Sequence, residues 1–423
     1  MAEYFHSVTL DKDKCKGCIN CIKRCPNEAI RVRNKKAYIM AERCIDCGEC
    51  IRVCPHHAKK PIYDSLDVLK NYKYTIALPA PALYAQFNNL EDINIVLNAL
   101  IEFGFDDVFE VAVAAEIVSN ATREYMKRTD IKRPVISSAC PAITRLIRLR
   151  FPNLIDQVLP INAPVELAAR LSKQEAMRKT GLKESEIGTV FISPCPAKVT
   201  ASKMPLGTQI SEVSAVVAIS DMYPKLLPFM KNSKSLQPIA KSGKIGVSWA
   251  NSSGECVALS NENYLAADGI ENVIRVLEDL EDEKLTGVDF IELNACSAGC
   301  VGGVLCVENP YIARTKLKKL RKHLSTSFDH YGGVPPQVNW DCSLEYSPVM
   351  KLDQDFTRAI EKMNELERIE KGFPGLDCGS CGAPSCRALA EDIVRGEAKE
   401  NDCIYKFKEN LASMFEEFNN SKS

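Results

Sequence analysis

Histidine is scarce in this 423-residue chain, five in all, which argues against zinc sites built on imidazole. An excess of charge is also missing: 54 Lys and Arg against 55 Asp and Glu leave a formal net charge of −1. That excludes the basic surface a nucleic-acid binder needs, and no run of like charge is long enough to form a tail. No segment approaches ~18 uninterrupted apolar residues, so no membrane span is expected. The opening stretch MAEYFHSVTLDKDK has neither a basic n-region nor an apolar h-region, so no secretory signal is visible and the expected location is cytoplasmic. With 26% charged and 46% hydrophobic residues the composition is that of an ordinary globular protein, long enough for two or three domains.

Cysteine is the departure. Nineteen cysteines in a reducing compartment point to metal thiolates rather than disulfides, and with so few histidines, to iron–sulfur clusters. Eight fall within residues 15–54, four within 378–403, and seven are scattered from Cys140 to Cys342. The expected division is a cluster-dense head (1–65), a large middle (66–350) and a small tail (351–423).

The head repeats the pattern C-x2-C-x2-C-x3-C-P, in CKGCINCIKRCP (15–26) and CIDCGECIRVCP (44–55). Three cysteines in one tight loop wrap a cubane, and the fourth reaches the neighbouring one. Cys15, Cys18, Cys21 and Cys54 should hold one 4Fe-4S cluster; Cys44, Cys47, Cys50 and Cys25 should hold the second. A zinc ribbon is the bland alternative. The segment between the motifs reads as a short hairpin. In the tail, Cys378, Cys381, Cys386 and Cys403 follow C-x2-C-x4-C-x16-C around a glycine- and proline-bearing loop, with residues 386–403 reading as a helix. The pattern resembles the small iron–sulfur domain of corrinoid iron–sulfur proteins and some membrane redox complexes. A third 4Fe-4S cluster is expected there, with structural zinc as the alternative.

The middle alternates strand-like runs (74–83, 133–140, 188–195, 214–220, 243–249, 288–296) with helical spacing over 91–104, 165–181 and 272–283. Alternation of this kind predicts an α/β architecture of parallel sheets flanked by helices. After Tyr346 a helix is expected over roughly 353–372. A lone buried cysteine is ordinarily a small hydrophobe. Cys140, Cys195 and Cys296, however, each close a strand-like run, where parallel sheets bind ligands. With Cys300 they form a set of four thiolates able to close on one cubane buried between two lobes.

SSACPA (137–142), SPCPAK (193–198) and ELNACSAGCVGG (292–303) resemble the three signature loops of the FeFe-hydrogenases, in order and spacing, and LPAPAL (78–83) is similar to an earlier loop of that family. The resemblance covers essentially residues 1–345. It implies a two-lobed domain whose Cys140, Cys195, Cys296 and Cys300 hold the cubane of an H-cluster. Cys300 would bridge to a two-iron unit carrying carbon monoxide, cyanide and a dithiolate amine. Ala80 and Pro81 would line the site, and Lys198 would meet the cyanide, since a buried lysine needs an anion. A ferredoxin-like α+β head and a helical iron–sulfur tail complete the expected fold.

The departures from the family matter as much. The position before Cys140 holds Ala139, where efficient members carry a proton-relaying cysteine. The stretch 114–125 has Ala121 and Thr122 where relay carboxylates are usual, Ser193 stands in the second loop, and Asn294 replaces the usual methionine. Proton delivery contributes roughly 10²–10⁴-fold, so slow turnover is expected. Together with the added tail this resembles the family's sensory subgroup, group D. Glu292 and Glu255 offer another proton route, although a glutamate is ordinarily solvated. Cys256, Cys306 and Cys342 read as structural thiols, and His56 and His57 as surface residues. Implied partners are H2 and protons, a redox partner, a signal-transduction partner and maturation proteins. The alternatives are a metabolic hydrogenase with an unusual proton path, or an iron–sulfur assembly scaffold lacking the two-iron unit.

Overall fold

The computed structural model describes residues 4–231, 236–260, 262–326 and 332–420. In the head, β1 (Val8–Leu10), β2 (Ile30–Arg33), β3 (Lys36–Ile39) and β4 (Lys59–Pro61) form two antiparallel pairs, β1 with β4 and β2 with β3. The β2–β3 connection is Asn34-Lys35, both with positive φ (50° and 61°), the backbone twist a two-residue hairpin requires.

The middle is built on β5 (Tyr74–Pro79), β6 (Asp107–Val108), β7 (Val135–Ile136), β8 (Ile187–Ser193), β9 (Ala215–Ala218), β10 (Tyr264–Asp268) and β11 (Phe290–Asn294). They make two sheets, ordered β6-β5-β8-β9 and β10-β11-β7, and every pairing is parallel. All seven residues of β8 are buried, the mark of a strand covered on both faces. The helix Pro164–Thr180 packs on β5 and β8, and Ile270–Glu281 packs on β10 and β11. Each sheet centres its own core, one around Leu78, Val190 and Val217, the other around Ile136, Ile143, Leu277 and Ile291.

Two expected elements differ. Residues 243–249 were expected as a strand; Lys244–Ser248 is a short helix crossing the long helix Val111–Met126. Gly246 makes the crossing possible, because a Cβ there would lie 2.0 Å from the Ala112 carbonyl oxygen. In the tail, the helix expected through residue 403 stops at Val394, with Gly396 in the left-handed region at φ 78°. A short 3-10 turn, Glu400–Asp402, then delivers Cys403.

The tail helices Phe356–Lys371 and Cys386–Val394 pack on each other, and the tail docks on the head. Asp392, nearly fully buried, accepts from Arg31 (2.7 Å) and Arg33 (2.6 Å), and the Val32 N–H donates to the Gly382 carbonyl at 2.8 Å. Among the described residues no helix is long and apolar enough to cross a membrane.

Candidate functional site

The two sheets turn the carboxyl ends of four strands toward one space. Ala80 follows β5 and Cys195 follows β8; Cys140 follows β7 and Cys296 follows β11. Cys140 and Cys195 are the N-cap residues of Pro141–Arg150 and Pro196–Lys203. Proline at the first helical position forfeits only an N–H that has no intrahelical partner, and its fixed φ suits the helix; this is why each cysteine precedes a proline. Both helix N-termini therefore direct their positive ends to the space their cysteines enter. The third loop is pinned to the second: the Leu305 N–H donates to the Pro194 carbonyl at 3.0 Å, and a Cβ on Gly303 would lie 2.1 Å from that same oxygen.

Cys140, Cys195, Cys296 and Cys300 all line one cavity of about 900 Å³, whose wall also includes Ala80, Pro81, Ala139 and Lys198. Burial pushes the Cys140, Cys195 and Cys296 thiols up, Cys195 to about 12, and neighbouring cysteines push further. Lys198 enters from the first turn of its helix, with Nζ 3.8 Å from Cys300 Sγ. Burial disfavours its charge, but Cys300, Cys195 and Cys140 outweigh burial and raise its pKa to about 12. The cavity is a pocket of thiols with one fixed cation, a donor set suited to a bulky anionic iron–sulfur group.

Glu255 and Glu292, ordinarily expected in solvent, are both buried and both line this cavity. Glu292 accepts the backbone N–H groups of Ser253, Glu255 and Cys256, each at 3.0 Å, and the Asn294 amide at 2.8 Å. Glu255 accepts the Ser137 hydroxyl at 2.6 Å, and among the described residues its other oxygen is buried without a partner. Burial raises Glu292 above the usual carboxylate range, and its four donors offset part of that. Burial, then the charge of Glu292, pushes Glu255 up to about 8, so Glu255 keeps its proton at neutral pH. Ser137 Oγ in turn accepts the N–H of Ala139 at 3.2 Å, so the pair reaches the wall where Ala139 offers no exchangeable proton. Asn294 thus serves Glu292, a role that its type alone did not disclose.

The remaining departures are local. Ser193 is buried and closes its own turn, donating to the Cys195 carbonyl (3.0 Å) and accepting the Cys195 N–H (3.2 Å). Ala121 and Thr122 are buried on the helix Val111–Met126, and Thr122 donates back to Val118. Cys256 is fully buried, whereas Cys342 is exposed, so the structural reading does not extend to Cys342. Cys306 lies in between, and His56 and His57 are exposed.

The head cysteines fall into two groups. Cys15, Cys18, Cys21 and Cys54 line one cavity, and Cys25, Cys44, Cys47 and Cys50 line another. The second group adjoins the central cavity: Cys47 packs in the same core as Cys140 and Cys195, and Arg52 donates to the Gly302 carbonyl at 2.8 Å. In the tail, Cys381, Cys386 and Cys403 share one small core, and Cys378 lies exposed beside it. Arg33 donates to the Cys381 carbonyl at 2.8 Å, fixing the tail loop against the head.

Parallel sheets that gather cysteines at their carboxyl ends, beside two further cysteine cradles, define an iron–sulfur redox protein. The family model "Iron only hydrogenase large subunit, C-terminal domain" matches residues 73–226 and 249–304, a 4Fe-4S dicluster domain matches 7–55, and an Fe-S cluster domain matches 373–405. The chain belongs to the iron-only, or FeFe, hydrogenase family. Iron hydrogenase 1 of Clostridium pasteurianum is 24% identical over 77% of this chain and 69% of its own length. The periplasmic Fe hydrogenase large subunit of Nitratidesulfovibrio vulgaris is 28% identical over 46% of this chain, which spans half of that relative's length. A solved structure of the FeFe-hydrogenase HydA1 from Chlamydomonas reinhardtii shares the fold at a TM-score of 0.51, with 15% identity over 66% of this chain and 95% of that one.

Proposed function

We propose that this protein reversibly splits hydrogen at an H-cluster, turns over slowly, and serves as a hydrogen sensor of the group D type. The observation that carries the reading is the central cavity, where four cysteines and the Lys198 ammonium meet beside Ala139. Cys140, Cys195, Cys296 and Cys300 would hold the cubane, and Lys198 would compensate the anionic two-iron unit. When bound, the H-cluster supplies the open iron at which hydrogen is cleaved heterolytically. The residues of the chain manage the proton: Glu255 carries one at neutral pH, Ser137 links it to the Ala139 wall, and Glu292 supplies the neighbouring charge. The side chain of Ala139 has no exchangeable proton to extend this route, which fits slow turnover.

Three 4Fe-4S clusters would carry electrons, two on the head groups and one on the tail cysteines, across units spanning 1–65, 66–350 and 351–423. The contacts Arg52–Gly302 and Arg33–Cys381 support a relay from the central cavity through the head to the tail. A cytoplasmic setting, maturation proteins, and a redox or signalling partner belong to the same reading. The buried glutamate pair favours a second reading, a metabolic hydrogenase with its own proton path. An assembly scaffold without the two-iron unit leaves Lys198 without a purpose. Infrared spectroscopy of the matured protein, with hydrogen assays in both directions, tests all three. Carbonyl and cyanide bands with slow turnover support the sensor, fast turnover supports the metabolic enzyme, and absent bands support the scaffold.

A further inference from the structure

Strand β4 places a lysine where a core residue belongs. Lys59 lies opposite Leu10 and is 3% exposed, while its neighbour Lys60 points outward and pairs with Asp11 at 2.8 Å. An inward strand position taken by lysine loses the ammonium's hydration and needs an anion in return. Among the described residues none supplies it: Lys59 Nζ is buried with no hydrogen-bond partner and no ion pair. Lys59 lines the cavity of Cys15, Cys18, Cys21 and Cys54. Strand β4 also packs on the short helix Glu49–Arg52, which carries Cys50 of the second head group, so Lys59 lies between members of both groups.

We propose that Lys59 is the shared counterion of the two head clusters and holds their reduction potentials up. The inference rests on reading the eight head cysteines as two 4Fe-4S clusters. Each cluster becomes more negative by one unit on accepting an electron, and a fixed buried cation favours that state. Lys59 is a positioning residue for charge: it ligates nothing and sets how readily the head accepts electrons from the central cavity.

The test uses the full chain, loaded anaerobically with iron and sulfide, as parent, Lys59→Met and Lys59→Arg. Iron and sulfide content is measured, and the clusters are titrated by EPR-monitored potentiometry. In Lys59→Met both head clusters should become at least about tenfold harder to reduce, which for one electron is about 59 mV more negative. Lys59→Arg should titrate near the parent, and the tail cluster should stay in place in all three as an internal reference. Loss of head iron from Lys59→Met while Lys59→Arg keeps it also supports the counterion. Fully loaded Lys59→Met titrating with the parent overturns the proposal, as does equal loss of iron from both variants, which would mark Lys59 as packing alone. A parent short of two head clusters overturns the cluster reading instead.

Discussion

Replacing Glu255 by glutamine separates the proton route from everything else in the cavity. The amide keeps the side chain's volume and an acceptor for the Ser137 hydroxyl, but has no proton to release. Glu255 is the group poised to exchange, because burial and the charge of Glu292 have moved it from 4.5 to about 8. Removing a general acid of this kind costs roughly 10²–10⁴-fold, so hydrogen evolution from reduced viologen should fall by about 10² or more. Infrared bands of the loaded protein should not change. A second readout follows from linkage. The folded state holds the Glu255 proton across a window in which the unfolded chain has lost it. Stability is therefore greatest below the ordinary carboxylate range and declines as pH rises to about 8. At ~1.4 kcal/mol per unit the decline is about 5 kcal/mol, and Glu255→Gln should flatten it. Denaturant titrations from pH 5 to 8.5 measure the slope. Unchanged turnover with intact bands, together with an unchanged slope, would refute the assignment.

Restoring the missing thiol in Ala139→Cys should raise hydrogen evolution by about 10-fold or more, since Ser137 and Glu255 already reach that wall; no gain in a fully matured variant would count against a relay ending there. Lys198→Met should leave the head clusters in place while the carbonyl and cyanide bands weaken or vanish after maturation, an effect seen by infrared alongside iron analysis. Gly303→Ala puts a methyl 2.1 Å from the Pro194 carbonyl, so the second and third loops must part and central loading should fail. Asp392→Ala leaves Arg31 buried without its carboxylate, at a cost of about 3–5 kcal/mol, and limited proteolysis should then release the tail.

Much of this was legible because cysteine announces itself by spacing. The grouping of Cys54 with the first head motif and Cys25 with the second was an expectation from spacing alone; in the fold Cys54 lines a cavity with Cys15, Cys18 and Cys21, and Cys25 one with Cys44, Cys47 and Cys50. The Cys-Pro pairs were readable as strand ends, and the structure adds that they are helix caps. Residues 243–249 misled because glycine beside β-branched residues looks like a strand, whereas Gly246 is there to admit another helix. Burial of charged groups was the harder matter. Glu255, Glu292 and Lys59 are of types that usually face water, and only the tertiary fold shows that the first two share a wall and that the third lines a cysteine cavity.

The central cavity draws its cysteines from two sheets that share no strand: Cys195 from one, and Cys140, Cys296 and Cys300 from the other. Any group gripping all of them acts as a rivet through both halves, so binding it and stiffening the molecule are one event. A copy without that rivet should hold its two halves more loosely, and proteolysis of unloaded and loaded protein compares them directly.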